Sequence, residues 1–256
     1  MYEAMMIAAT GLQNQQRRID VIANNVANVN SVAFKSARLD FKDALYTAGH
    51  VPGPPRTPEP QGNQQKGHGV MVTGITKDYF TGSMQRTDRP LDLAIEGEGF
   101  FELGDIDGEL VYTRNGSLHL DDAGYLVNAD GLFVRDIDGG NIWAPYGTHT
   151  IDIDTNGVVT FVTDEYETSY LLGLYTFRNV TGLLSAGNGN YAESVASGEK
   201  RPAEEAVIRQ GMLELSNVNL AEEMTRLIRT QRAFQLASRA LTTADEMEGI
   251  ANNLRR

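Results

Sequence analysis

Met5-Met-Ile-Ala-Ala-Thr-Gly-Leu-Gln-Asn-Gln-Gln-Arg-Arg-Ile-Asp-Val-Ile-Ala-Asn-Asn-Val26 puts an apolar residue at Met5, Leu12, Ile19 and Val26, one every seven positions. Ala8, Gln15, Ile22 and Val29 stand three later in each heptad, and Arg17, Arg18 and Asp20 fall off that seam. The repeat predicts a helix of about 27 residues, roughly 40 Å long at ~1.5 Å per residue, with one narrow buried face. Its end is marked by Asn24-Asn25-Val-Ala-Asn28-Val-Asn30-Ser31, because Asn side chains compete for backbone hydrogen bonds and favour caps and turns. A seam this narrow does not offset the entropy of ordering a long helix, so a partner is required.

The other end of the chain offers one. Leu220, Met224, Leu227, Gln231, Phe234, Leu241, Ala244, Met247, Ala251 and Leu254 step by three, four or seven along one face. Ser216-Asn217 reads as a start signal, and Glu222-Glu223 suits the positive end of the helix dipole. Leu213 and Leu215 read as the end of a strand or an extended connector. The expected assembly seam is Met5, Leu12, Ile19, Ile22 and Val26 with Leu220, Leu227, Phe234 and Leu241, the two helices pairing as a coiled coil and then meeting neighbouring copies. The plainer alternative is two core helices of one globular domain.

Between the ends the chain changes character. Of 26 glycines, 24 lie in residues 49–211, and all eight prolines fall between Pro52 and Pro202. Leu91–Ile95, Phe100–Leu103, Leu110–Thr113, Ser117–Leu120, Val158–Val162 and Tyr170–Phe177 are short β-prone runs. They are separated by Glu96-Gly-Glu-Gly99, Asp107-Gly108, Asn115-Gly116, Asp122-Ala-Gly124, Asp130-Gly131 and Asp138-Gly-Gly140, turn chemistry whose Asx-Gly pairs supply the positive φ of hairpin turns. The fold class expected is α+β: long terminal helices flanking a β-rich antiparallel middle. Its divisions are 1–35 with 212–256 as a terminal helical assembly domain, 36–78 as an extended connector or arm, and 79–211 as the middle domain. Residues 49–68, with five prolines and little to bury, read as a loop or extended arm.

Charge follows the same division. The net charge is −12, but residues 1–48 carry five basic and four acidic side chains and residues 212–256 carry six of each. The middle therefore holds eleven basic against twenty-four acidic residues. An acidic balance argues against non-specific nucleic-acid binding, which needs clustered cations to displace counterions. With no cysteine there are no disulfides, thiolate metal sites or Cys nucleophiles. No apolar run of about 18 residues predicts membrane insertion. Ala4–Leu12 is preceded by Glu3 rather than a basic residue and lacks a small-residue cleavage site after it, so no cleaved signal is expected.

Enzyme chemistry finds no footing. Asp152-Ile-Asp154-Thr-Asn156-Gly157 matches the first half of an EF-hand loop, but the bidentate acid position is Thr163, so it reads as a tight turn. His50, His68, His119 and His149 have no metal-ligand spacing, and Gly97-Glu-Gly99 lacks a following helix. Catalytic, cofactor and metal residues are all expected to be none. The rival of another class is a secreted acidic β-rich enzyme or cation-binding module whose helical ends only oligomerise it.

Ala8-Ala-Thr-Gly-Leu12 with Asp20–Lys35, Arg89-Pro-Leu-Asp-Leu-Ala-Ile-Glu-Gly-Glu-Gly-Phe-Phe101, Tyr112-Thr-Arg-Asn-Gly-Ser117, Ser216-Asn-Val-Asn-Leu-Ala-Glu-Glu-Met224 and Gln231-Arg-Ala-Phe234 stand in this order. Together they resemble the bacterial flagellar basal-body rod and hook protein family, over most of the chain. The resemblance implies a structural protein exported through the flagellar export apparatus without a cleaved signal. It implies as partners copies of itself and other axial proteins of rod and hook, with the terminal helices in an inner tube and the β-rich middle outside. Phe41-Lys-Asp-Ala-Leu-Tyr46 and Gly67-His-Gly-Val70 look most like the family's distal rod members, with proximal rod and then hook proteins next. One departure is Ala33, where the family usually has glycine; a left-handed turn there would cost the alanine energy.

Overall fold

The computed structural model describes residues 2–43, 46–48, 65–67, 70–105 and 108–254. Most of the expected 49–68 arm lies outside these residues; within it only Gln65–Gly67 is described, pairing as a short strand with Tyr46–Ala48. Helix α1 spans Tyr2–Ala27, close to the length its heptads predict. It stops at the asparagine run: the Ser31 amide donates to the Asn28 carbonyl at 3.2 Å and the Ser31 hydroxyl meets Asn28 Oδ1 at 3.0 Å. Helix α2 spans Leu220–Leu254, 35 residues. It starts later than Ser216-Asn217 suggests because those side chains are engaged elsewhere. Ser216 Oγ accepts the Val218 amide at 3.3 Å, and Asn217 bonds both the Ser36 amide and the Asp78 carbonyl.

The chain forms two compact units. The first comprises 1–26, 37–76 and 220–256 and the second 27–36 and 77–219, so the chain crosses four times. In the helical unit α1 packs on a two-stranded ribbon, Ala37–Asp43 beside Val70–Lys77. Arg18 stands 5.9 Å from the Phe41 ring centre, and Thr76 bonds Asp40 across the ribbon. Arg17, Asp20 and Val21 share with Leu39, Val72 and Ile75 a shallow cleft of about 360 Å³.

In the β-rich unit the largest sheet has nine strands among the described residues. Its central strand Phe100–Gly104 pairs antiparallel with Leu110–Thr113, Phe133–Val134 and Leu174–Phe177. A three-stranded sheet, Thr150–Ile153, Val158–Val162 and Glu167–Leu171, is also antiparallel. Alternation along Phe100–Gly104 feeds two cores. Phe101 and Leu103 join Leu93, Ile95, Leu126, Ile142, Phe161, Leu172 and Ile208, whereas Phe100 joins Tyr112, Tyr175, Phe177, Leu183 and Tyr191. The second core is held edge to face, with Tyr112 and Phe177 ring centres 4.8 Å apart.

Three local expectations change. Tyr170–Phe177 is not one strand: it breaks at Gly173, so that Glu167–Leu171 and Leu174–Phe177 join different sheets. A Cβ on Gly173 would sit 3.1 Å from the Arg135 carbonyl oxygen. Gly116 has no positive φ; it is needed because a Cβ there would lie 1.8 Å from the Leu93 carbonyl oxygen. Ser117 lies outside the strand, which covers Leu118–Leu120. The Asp152–Gly157 stretch is the expected turn, with the Gly157 amide donating to the Asp154 carbonyl at 2.9 Å and Gly157 at φ 87°.

Candidate assembly surface and buried polar junction

The helical ends present the nine seam residues unequally. On α1 Ile22 is buried, while Met5, Leu12, Ile19 and Val26 are partly buried. On α2 Leu227, Phe234 and Leu241 are partly buried, and Leu220 is 44% exposed. At roughly 100° per residue, Leu227, Phe234 and Leu241 share one side with Glu223 and Thr230, both of which are buried. The two helices meet where Asn25 Nδ2 approaches Glu223 Oε2 at 3.4 Å. Asn25 also clasps the ribbon, giving its amide to the Ala37 carbonyl at 2.8 Å and accepting the Ala37 amide at 2.9 Å.

Sequence reading of the seam left out Ile228, Leu236 and Ile250, which are 53%, 66% and 61% exposed. Leu236 and Ile250 stand on a different side of α2 from Phe234, and a template that admits a single stripe passes over them. Met224 and Met247, expected on the face of Phe234, are also exposed, and Met247 lies on the side of Leu236 and Ile250 because steps of three, four and seven drift around a straight helix.

The β-rich unit contains a polar junction that brings together Lys35 and Arg114, each within a motif quoted above, and Glu214, which lies outside those motifs. Lys35 Nζ lies 2.6 Å from Glu214 Oε1, and both side chains are fully buried. The same oxygen accepts the Gly82 amide at 2.7 Å. Glu214 Oε2 faces Arg114 Nε at 3.4 Å, an electrostatic contact without hydrogen-bond geometry. Arg114 donates to the carbonyls of Tyr79 and Gly97, and Lys35 to that of Phe80. Burial first, then the neighbouring Arg114 charge, pulls the Lys35 ammonium below its ordinary pKa, with Glu214 opposing. Around this hub the Ala33 amide bonds the Glu214 carbonyl at 2.8 Å and the Asn217 amide bonds the Phe34 carbonyl at 3.3 Å. Ala33 is buried at φ 54°, so the left-handed turn anticipated at that departure is present.

A second buried carboxylate, Glu102, pairs with Lys200 and neighbours the Tyr112 hydroxyl, with Lys200 4.4 Å above the Tyr175 ring. Among the described residues, no three of His, Cys, Asp and Glu are grouped to hold a metal ion. No described helix is long and apolar enough to cross a membrane.

Comparison with known proteins places three blocks along the chain. Residues 5–35 match the family described as "Flagella basal body rod protein", 94–161 "Flagellar hook protein FlgE/F/G D1 domain", and 209–254 "Flagellar basal body rod FlgEFG protein C-terminal". The chain is 38% identical to "Flagellar basal-body rod protein FlgG" of Borreliella burgdorferi, covering 100% of both sequences. It is 37% identical to the protein of the same name in Bacillus subtilis, again over 100% of both. It is 30% identical to a second Bacillus subtilis protein, "Flagellar hook-basal body complex protein FlhP", over 100% of both.

Proposed function

The chain belongs to the flagellar basal-body rod family and is a structural component of the basal body; from that premise we propose that it builds the distal rod as a self-assembling tube. Copies add head to tail through two different surfaces, which gives an open helical polymer rather than a closed ring. Helices α1 and α2 pair as a coiled coil along Met5, Leu12, Ile19, Ile22, Val26, Leu220, Leu227, Phe234 and Leu241 and form the inner wall. In this division 1–35 and 212–256 assemble, 36–78 connects, and 79–211 forms the outer layer. The role is mechanical rather than catalytic. The chain leaves the cytoplasm through the flagellar export apparatus without a cleaved signal, and its partners are its own copies and the neighbouring rod and hook proteins.

The observation that carries this reading is the exposure of α2. Ile228, Leu236, Met247 and Ile250 are each more than half exposed in the single chain, a cost that packing against other copies removes. Charge supports the same reading, since the near-neutral ends can meet one another while net negative charge stays on the middle. Electron microscopy of basal bodies from the source bacterium lacking this chain tests it. The expected result is rods that stop short of the hook. An earlier stop assigns the chain to the proximal rod, and complete rods with hooks contradict the proposal.

A further inference from the structure

The Lys35–Glu214–Arg114 hub has a placement that core packing does not explain. Each of the three matched blocks supplies one of its charges: Lys35 ends the first, Arg114 lies in the second and Glu214 in the third. All four crossings of the chain between its compact units fall at the ends of 27–36, 77–83 and 212–219. These three segments are the ones the hub ties. Glu214 holds Lys35 and the Gly82 amide, Lys35 holds the Phe80 carbonyl, and Asn217 holds the Ser36 amide together with the Asp78 and Phe80 carbonyls. The hub borders the second core, with Arg114 5.8 Å above the Phe100 ring, but its ion pair joins the connecting segments to one another.

Buried ion pairs seldom add net stability over apolar packing of the same shape, but they fix which groups may meet. Here one carboxylate is shared by two cations and a backbone amide, so it is satisfied only when all three segments are in register. We infer that Glu214 is a register lock on the three connecting segments, and that closing it is a condition for the terminal helices to assemble rather than for the β-rich cores to fold. This rests on the assembly reading above.

The test uses Lys35→Met in the full chain. The substitution removes the surplus buried cation and leaves Glu214 with Arg114 and the Gly82 amide, so the cores retain their packing. Glu214→Gln, which keeps shape and loses charge, is the second variant. Three readouts are taken: thermal unfolding followed by Trp143 fluorescence, amide hydrogen exchange in 33–36 and 214–217, and flagella per cell after chromosomal replacement. For Lys35→Met the expected result is a melting midpoint within a few degrees of the parent, exchange in those segments faster by roughly tenfold or more, and flagella reduced by a similar factor; Glu214→Gln, which strands two buried cations, shows the same exchange and flagellar effects with a larger fall in midpoint. Unchanged exchange overturns the lock, as does exchange that rises only because the cores melt with it. Faster exchange with normal flagella separates the lock from assembly and also overturns the inference, while leaving the proposed function standing. Complete rods in a strain lacking the chain remove the assembly reading itself.

Discussion

Replacing Gly82 by alanine forces two backbone segments of the junction apart. An ideal Cβ at that position would lie 2.1 Å from the Leu215 carbonyl oxygen and 3.1 Å from its carbon. Carbon–oxygen contacts in proteins begin near ~3.3 Å, so the two segments must part by about 1 Å. The obstacle is backbone on both sides, and no side chain can swing away to relieve it. Parting stretches the Leu215 amide bond to Ser83 from 2.8 Å and the Gly82 amide bond to Glu214 from 2.7 Å. A neutral bond contributes about 1 kcal/mol and a charge-assisted one about 2 kcal/mol. Reduced entropy of the unfolded alanine chain returns about 0.5–1 kcal/mol. The net expectation is a loss of about 2–2.5 kcal/mol, read from urea unfolding followed by Trp143 fluorescence. Gly74→Ala, where nothing lies within 4 Å of the added Cβ, is the control and does not lower the midpoint, since only the unfolded-chain entropy term acts there. A loss below about 1 kcal/mol, with unchanged hydrogen exchange at Leu215, refutes the tight junction.

Asn25→Ala removes both bonds to Ala37 and the contact with Glu223, and loses about 2–3 kcal/mol of local stability, read as faster exchange of the Ala37 amide. Ala33→Gly relieves the left-handed strain at φ 54° and, after glycine's larger unfolded entropy, is neutral to about 1 kcal/mol stabilising; a clear drop in melting temperature would contradict that balance. In alkaline titration followed by ultraviolet absorbance, the folded chain shows a delayed tyrosinate class, because burial pushes Tyr79 up to about 12 and also raises Tyr112, Tyr175 and Tyr191. Between the unfolded value near pH 10.0 and the folded value of Tyr79, the native state holds protons that the unfolded chain has lost. Stability from these phenols is therefore full below that window and falls as pH rises through it. A single titration step near pH 10, equal to that of the denatured chain, contradicts the buried placement.

Much of the architecture was legible because it rests on periodicity and turn chemistry, which are local. The α1 heptads gave its extent, and positive φ at Gly108, Gly124, Gly131 and Gly139 sits where Asx-Gly punctuation placed it. Gly116 shows the limit: the residue pair is the same, but the cause is a carbonyl from Leu93, distant in sequence. The hub was illegible for a similar reason. Lys35, Arg114 and Glu214 are residue types that usually face water, and Glu214 stands between Leu213 and Leu215 in what reads as an ordinary connector. Only the tertiary path brings Lys35 to a carboxylate 179 positions away. On α2 the template of one stripe found Leu227, Phe234 and Leu241 and passed over Ile228, Leu236 and Ile250, since a helix that meets several neighbours need not keep its apolar residues on one face.

If the terminal helices carry the assembly, electron cryomicroscopy of the native rod shows a helical tube whose inner wall is α1 and α2, with Leu12, Ile19, Leu227 and Phe234 sealed between helices and Leu236, Met247 and Ile250 covered by neighbouring copies. A rod whose copies meet only through residues 79–211, with those α2 side chains still facing water, contradicts it.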